Sequence, residues 1–212
     1  VGLYTSLALD GDGHPHISYF DASNENLKVA YWDGADWHIE TVDSEGHVGT
    51  YTSLALDRDD RPYISYLDHT NGNLKLAHQD GDAWHIETVD SAGYLGSDTS
   101  LALDAAGYPH ISYYDESNGD LKYAHQDGAG WHTETVGSAG HAGTQTSLAL
   151  DRRGYPRISY YDGSNEDLKN AHWDSSGWHI ETVDTGRDVG GFSSLALNAD
   201  GHPHISYFDG SS

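Results

Sequence analysis

The side chains in this sequence that could do chemistry are His, Asp, Lys, Tyr and Trp, and most of them recur at one fixed spacing. His-x-His is the exception. It appears as His14-Pro15-His16 and again as His202-Pro203-His204, and two imidazoles so placed can chelate a transition metal when both point the same way. Closure of the chain into a ring would bring these pairs together, so His14, His16, His202 and His204 are weak metal candidates. Asp10-x-Asp12-Gly13 offers oxygen ligands of the kind calcium takes. Its flanks hold Ala8 and His16, however, and Ala105-Ala106 and Arg152-Arg153 lose the second Asp, so a turn is expected there instead. Lys28, Lys75, Lys122 and Lys169 lie at equivalent places, and the predicted hairpins set each diagonal to Glu40, Glu87, Glu134 and Glu181 as a structural ion pair. Aromatic rings next to Asp and Asn suit sugar recognition. On that ground Asp21, Asn24, Trp32, Asp43, His47, Tyr51 and Trp173 are the candidate ligand-binding residues.

What positions these groups is a repeat. Ser-Leu-Ala-Leu begins at Ser6, Ser53, Ser100, Ser147 and Ser194, a spacing of 47 residues each time. All five prolines share one repeat position and all four lysines another. Each unit holds four short strand-like runs, A to D, separated by turn residues; in the first unit they are residues 6–10, 16–21, 27–33 and 37–43. Four strands per unit, repeated radially, predict an all-β propeller of four-stranded antiparallel blades, four complete and half of a fifth, in a single domain over residues 1–212. Leu7, Leu9, Ile17, Tyr19, Val29, Ile39 and their equivalents are the expected core. The B–C turns and D–A links are expected to share one face of the disc, and a ligand to bind there.

The units resemble tandem repeats of secreted and surface proteins of bacteria and archaea: Ser-Leu-Ala-Leu-Asp, then Pro-His-Ile-Ser-Tyr, then Asp-Leu-Lys. More loosely they resemble NHL-type and tachylectin-type propellers. The resemblance implies a propeller fold and an extracellular or cell-surface location; the Asp-x-Asp-Gly segment looks like part of an integrin-type calcium loop.

Composition narrows the function. A net charge of −24 disfavours a nucleic-acid partner, and no apolar run is long enough for membrane insertion. Cys is absent, which removes thiolate metal sites and thiol nucleophiles. No phosphate loop or nucleophile elbow is present, and the six arginines are scattered rather than clustered. Catalysis needs one asymmetric constellation, and repetition dilutes any triad. The expectation is therefore a non-enzymatic module without a cofactor, binding a carbohydrate or protein ligand. A self-assembling structural repeat is the alternative, with a hydrolase behind both. The two strands of the fifth unit predict an edge that pairs with another chain or continues in a longer array.

Overall fold

A computed structural model describes residues 2–138 and 140–210, and among these every regular element is a strand. The first sheet contains β1 (Gly2–Leu9), β2 (Pro15–Asp21), β3 (Asn26–Trp32) and β4 (Trp37–Asp43). The second contains β5 (Val48–Leu56), β6 (Pro62–Asp68), β7 (Asn73–Asp80) and β8 (Ala83–Asp90). The third contains β9 (Leu95–Leu103), β10 (Pro109–Asp115), β11 (Asp120–Asp127) and β12 (Gly130–Gly137). The fourth contains β13 (Ala142–Leu150), β14 (Pro156–Asp162), β15 (Asp167–Asp174) and β16 (Gly177–Asp184). β17 (Val189–Leu197) and β18 (Pro203–Asp209) form a two-stranded fifth sheet. Strands within a sheet pair in sequence order and antiparallel. Each Pro opens the second strand of its sheet, where its missing N–H is tolerated.

The sheets pack face to face through the first strand of each: β1 on β5, β5 on β9, β9 on β13, β13 on β17. Leu27, Val29 and Val42 of the first sheet meet Val48, Leu54, Ile64, Tyr66 and Ala77 of the second. The same packing recurs between the second and third sheets and between the third and fourth. Serines stitch the layers together. Ser6 Oγ accepts the Leu54 N–H at 3.0 Å, and Ser53, Ser100 and Ser147 accept from Leu101, Leu148 and Leu195 at the same distance. The first strand of a sheet has one unpaired edge, and these hydroxyls satisfy its buried donors. That is a reason for Ser to head the first four Ser-Leu-Ala-Leu segments.

Two core expectations need correction. Ile39, Ile86 and Ile180 are exposed, because the fourth strand is the outer edge of its sheet. Leu7 and Leu9 are 63% and 61% exposed, whereas Leu54, Leu101 and Leu148 are buried, because among the described residues no sheet packs on that face of the first.

Every first strand carries a bulge, and there a non-glycine residue sits in the left-handed region: Tyr4, Tyr51, Asp98, Gln145 and Phe192, with φ of 51–55°. Each such residue costs about 1 kcal/mol of backbone strain. Gly49 earns its place differently. Its φ is +99° and a Cβ would lie 2.7 Å from Leu27 Cα, so only glycine allows the link to cross so closely over the preceding sheet.

Candidate functional site

The seven candidate residues do not converge. Asp21 and Asn24 close the turn between β2 and β3: Asn24 Nδ2 donates to Asp21 Oδ2 at 2.7 Å and the Ser23 N–H to Oδ1 at 3.1 Å. These bonds, with Lys28 3.1 Å away, hold the Asp21 carboxyl down at about 2. Asp68, Asp115 and Asp162 repeat the arrangement. Asp43 lies buried between sheets, where the Tyr66 hydroxyl donates to it at 2.7 Å and Lys75 Nζ at 3.4 Å. His47 stacks on Phe20 at 4.9 Å and tilts against His69 at 4.7 Å, beside the Asp21 turn. Tyr51 stands at the mouth formed where the first strands meet. Trp32 meets Trp37 edge-on at 5.9 Å at the turn between β3 and β4, and Trp173 meets Tyr155 edge-on at 5.0 Å at the corresponding end of the fourth sheet. The B–C turns and D–A links do lie together, as the Val48 N–H to Glu25 carbonyl bond of 3.0 Å attests.

The lysine pairing is corrected. Each Lys reaches an Asp rather than the diagonal Glu: Lys28 pairs with Asp21, Lys75 with Asp43 and Asp68, Lys122 with Asp90, and Lys169 with Asp162 and Asp167. In two interfaces the Asp belongs to the preceding sheet and also accepts from a buried Tyr, Tyr66 or Tyr113. In the third, Gly137 replaces that Asp, and Lys169 falls back on its own sheet.

The histidine seam does not assemble either. His14 Nδ1 lies 3.2 Å from Asp10 Oδ2, and His16 Nε2 lies 3.9 Å from the same oxygen. The fifth sheet packs on β13, β14 and β15 rather than on the first sheet. Among the described residues no three His, Asp or Glu side chains are placed to hold a metal. The Asp10 carboxylate instead caps its turn by accepting the Asp12 and His14 N–H groups, and Asn198 does the same in the fifth unit.

One inter-sheet cavity differs from its equivalents. It lies between the third and fourth sheets, measures about 310 Å³, and is lined by Tyr123, His125, Glu134, Gly154, Tyr155, Pro156 and Trp173. At the Tyr123 position the other sheets have Val29, Leu76 and Asn170, and at the Trp173 position Trp32, Gln79 and Gln126. Tyr123 is held by His110, whose Nδ1 bonds its hydroxyl, and by the edge of Trp178 at 5.3 Å. Burial keeps His110 neutral, with its pKa lowered to about 4. Burial, then His132, lowers His125 as well, so His125 presents a neutral imidazole. In the first interface the carboxylate equivalent to Glu134 is spent: Glu40 accepts from Tyr31 at 3.2 Å and from Trp84 Nε1 at 3.1 Å. In the third interface the Trp178 indole N–H is buried without a partner and does not reach Glu134. Among the described residues Glu134 therefore has no hydrogen-bond donor, and it faces a cavity walled by Tyr155 and Trp173, two rings set edge-on at 73°. Of these lining residues only Trp173 was a ligand-binding candidate in the sequence; Glu134 was expected to pair with Lys122. Tyr123 was visible as a departure from its repeat column, but nothing in one sheet's pattern showed that it would face Trp173 of the next.

No protein-family model matches the chain, and no curated protein matches it. Solved structures do. An α-L-arabinofuranosidase from Lactobacillus brevis aligns over 97% of this chain and 82% of its own at 10% identity, with a TM-score of 0.57. A variant of the Aleuria aurantia lectin, in complex with Fucα1-6GlcNAc, aligns over 97% of this chain and 72% of its own at 16% identity and a TM-score of 0.63. A protein of unknown function from Dyadobacter fermentans aligns over 96% and 71% at 10% identity, with a TM-score of 0.67. At these identities the likeness is one of fold, and that fold is of the propeller type.

Proposed function

We propose that this chain is a non-enzymatic carbohydrate-binding propeller, four complete blades of a 47-residue repeat and two strands of a fifth, acting outside the cell or on its surface. The cavity between the third and fourth sheets carries the reading. A sugar offers an apolar C–H face to aromatic rings and hydroxyl donors to a carboxylate, and Trp173, Tyr155 and Glu134 supply both. Glycoside hydrolysis uses two carboxyl groups flanking the scissile bond, and Glu134 is the one carboxylate in this lining. The lectin among the structural neighbours binds a fucosylated disaccharide, which supports the choice of ligand class.

A glycan array followed by calorimetry on the best hit tests the reading. Trp173→Ala and Glu134→Gln should each weaken binding at least about tenfold, and Trp32→Ala should leave it unchanged. Absence of glycan binding, or binding indifferent to both variants, defeats the proposal. Turnover of nitrophenyl glycosides defeats its non-enzymatic part.

The bare face of the first sheet supports self-association as a second role. Leu7 and Leu9 are exposed there, while their counterparts Leu54, buried, and Leu56, half-buried, pack against a preceding sheet. Such a face takes another sheet of the same kind. Light scattering should detect a complex that Leu7→Lys dissolves; a concentration-independent monomer refutes the role.

A further inference from the structure

The left-handed residues Tyr4, Tyr51, Asp98, Gln145 and Phe192 converge on one opening of about 690 Å³, where the first strands of all five sheets meet. Two positions earlier every unit has Gly and one position later Thr or Ser, yet this column reads Tyr, Tyr, Asp, Gln, Phe. Glycine would relieve the backbone here, as it does at Gly49, Gly96 and Gly143 nearby. Five side chains are kept at a conformational cost, and such outliers cluster at functional sites.

Two polar members are held by relay. Asp98 Oδ2 accepts the Gln145 N–H at 2.9 Å, and Gln145 Oε1 accepts the Phe192 N–H. The other members are aromatic. Tyr4 and Tyr51 lie with ring centroids 4.6 Å apart, Tyr161 joins the lining, and Phe192 is 76% exposed. One Asp98 oxygen remains open, and among the described residues no Lys or Arg pairs with Asp98. Burial and the like charge of nearby Glu116 raise the Asp98 carboxyl against the lowering by the Gln145 N–H, the mark of a carboxylate with no cation to balance it. A cation would relieve that imbalance, and the chain's net charge of −24 would draw one in.

We propose that this axial mouth binds an organic ammonium cation, its charge set against Asp98 and its alkyl groups against Tyr4, Tyr51 and Phe192. A small inorganic cation would leave the rings without work, and a neutral ligand would leave the carboxylate unmatched. The site is separate from the sugar cavity and stands without it.

Choline chloride is the probe, followed by amide chemical shifts of the whole chain, with 3,3-dimethylbutan-1-ol as its uncharged analogue. Choline at millimolar concentration should shift Thr52, Thr99 and Thr146, which line the mouth, and leave Tyr155 and Trp173 still. The uncharged analogue should bind roughly tenfold more weakly. Asp98→Asn and Tyr51→Asn should each weaken choline by a similar factor; Asn tolerates the left-handed conformation, so the bulge survives, and an unchanged amide spectrum elsewhere verifies the fold. Equal binding of the two probes, undiminished binding by Asp98→Asn, or no shift at the mouth overturns the proposal.

Discussion

Gly137→Asp should stabilise the protein, because it restores a clamp that the third interface lacks. In the second interface the Asp90 carboxylate accepts from the Tyr113 hydroxyl at 2.7 Å and from Lys122. Tyr160 and Lys169 stand ready to make the same bonds in the third. A Cβ on Gly137 would lie 3.5 Å from the Tyr160 hydroxyl and 3.6 Å from Ile180 Cδ1, ordinary contact distances, and Gly137 has no positive φ to lose. A hydrogen bond to a charged group contributes about 1.5–3 kcal/mol before the desolvation of the carboxylate is set against it. Replacing Gly in a strand adds about 0.5–1 kcal/mol. The expected gain is about 2–3 kcal/mol for Gly137→Asp and under about 1 kcal/mol for Gly137→Ala. Urea midpoints of the three proteins measure it. The pH dependence separates the carboxylate from the backbone effect. Burial alone would raise Asp90, but hydrogen bonds from Lys122, Tyr113 and the Ala92 N–H outweigh it and lower its pKa. A carboxylate with a depressed folded pKa adds stability above its unfolded pKa and loses it as pH falls through the folded one. The extra gain of Gly137→Asp should thus be present at neutral pH and vanish in acid, while that of Gly137→Ala persists. Equal midpoints for Asp and Ala at neutral pH would refute the clamp.

Ile111→Ala, fully buried in the third sheet, should cost about 2–5 kcal/mol, whereas Ile86→Ala, on an exposed outer strand, should cost under about 1 kcal/mol, both by urea denaturation. Ser100→Ala leaves the buried Leu148 N–H without its acceptor and should speed hydrogen exchange at that amide, with a stability loss of about 1–3 kcal/mol. Because burial depresses His110, the unfolded chain takes up a proton between about pH 6.5 and 4 that the folded chain refuses. Stability should fall with pH across that window, and proton NMR should find His110 still neutral at pH 5.

The repeat made the second, third and fourth strands legible to within a residue in the first unit, since all five prolines open second strands, but the first strands run from Gly2 and Val48 and absorb much of what was read as a link. Period-two alternation put Ile64 and Ile111 in the core correctly. It also put Ile39 there, because alternation shows which face a residue takes but not that the fourth strand lies at the rim. The Lys28–Glu40 pairing failed for a related reason. Hairpin geometry relates neighbours within one sheet, whereas one of the two partners of Lys75, Asp43, lies in the sheet before it. The sugar cavity suffered the same blindness, its walls coming from two sheets. Asp21 and Asn24 looked like ligand groups because turn chemistry and sugar chemistry draw on the same side chains.

The serine stitches have a direction. Between first strands the acceptor always belongs to the earlier sheet and the donor to the later, as Ser6 and Leu54 illustrate, and the Asp43 and Asp90 clamps run the same way. During synthesis the acceptors of one repeat are therefore made before the donors of the next. At about 5–20 residues per second, a 47-residue repeat leaves the ribosome every few seconds. Each repeat thus brings donors to acceptors that precede it in the chain, the order in which synthesis delivers them.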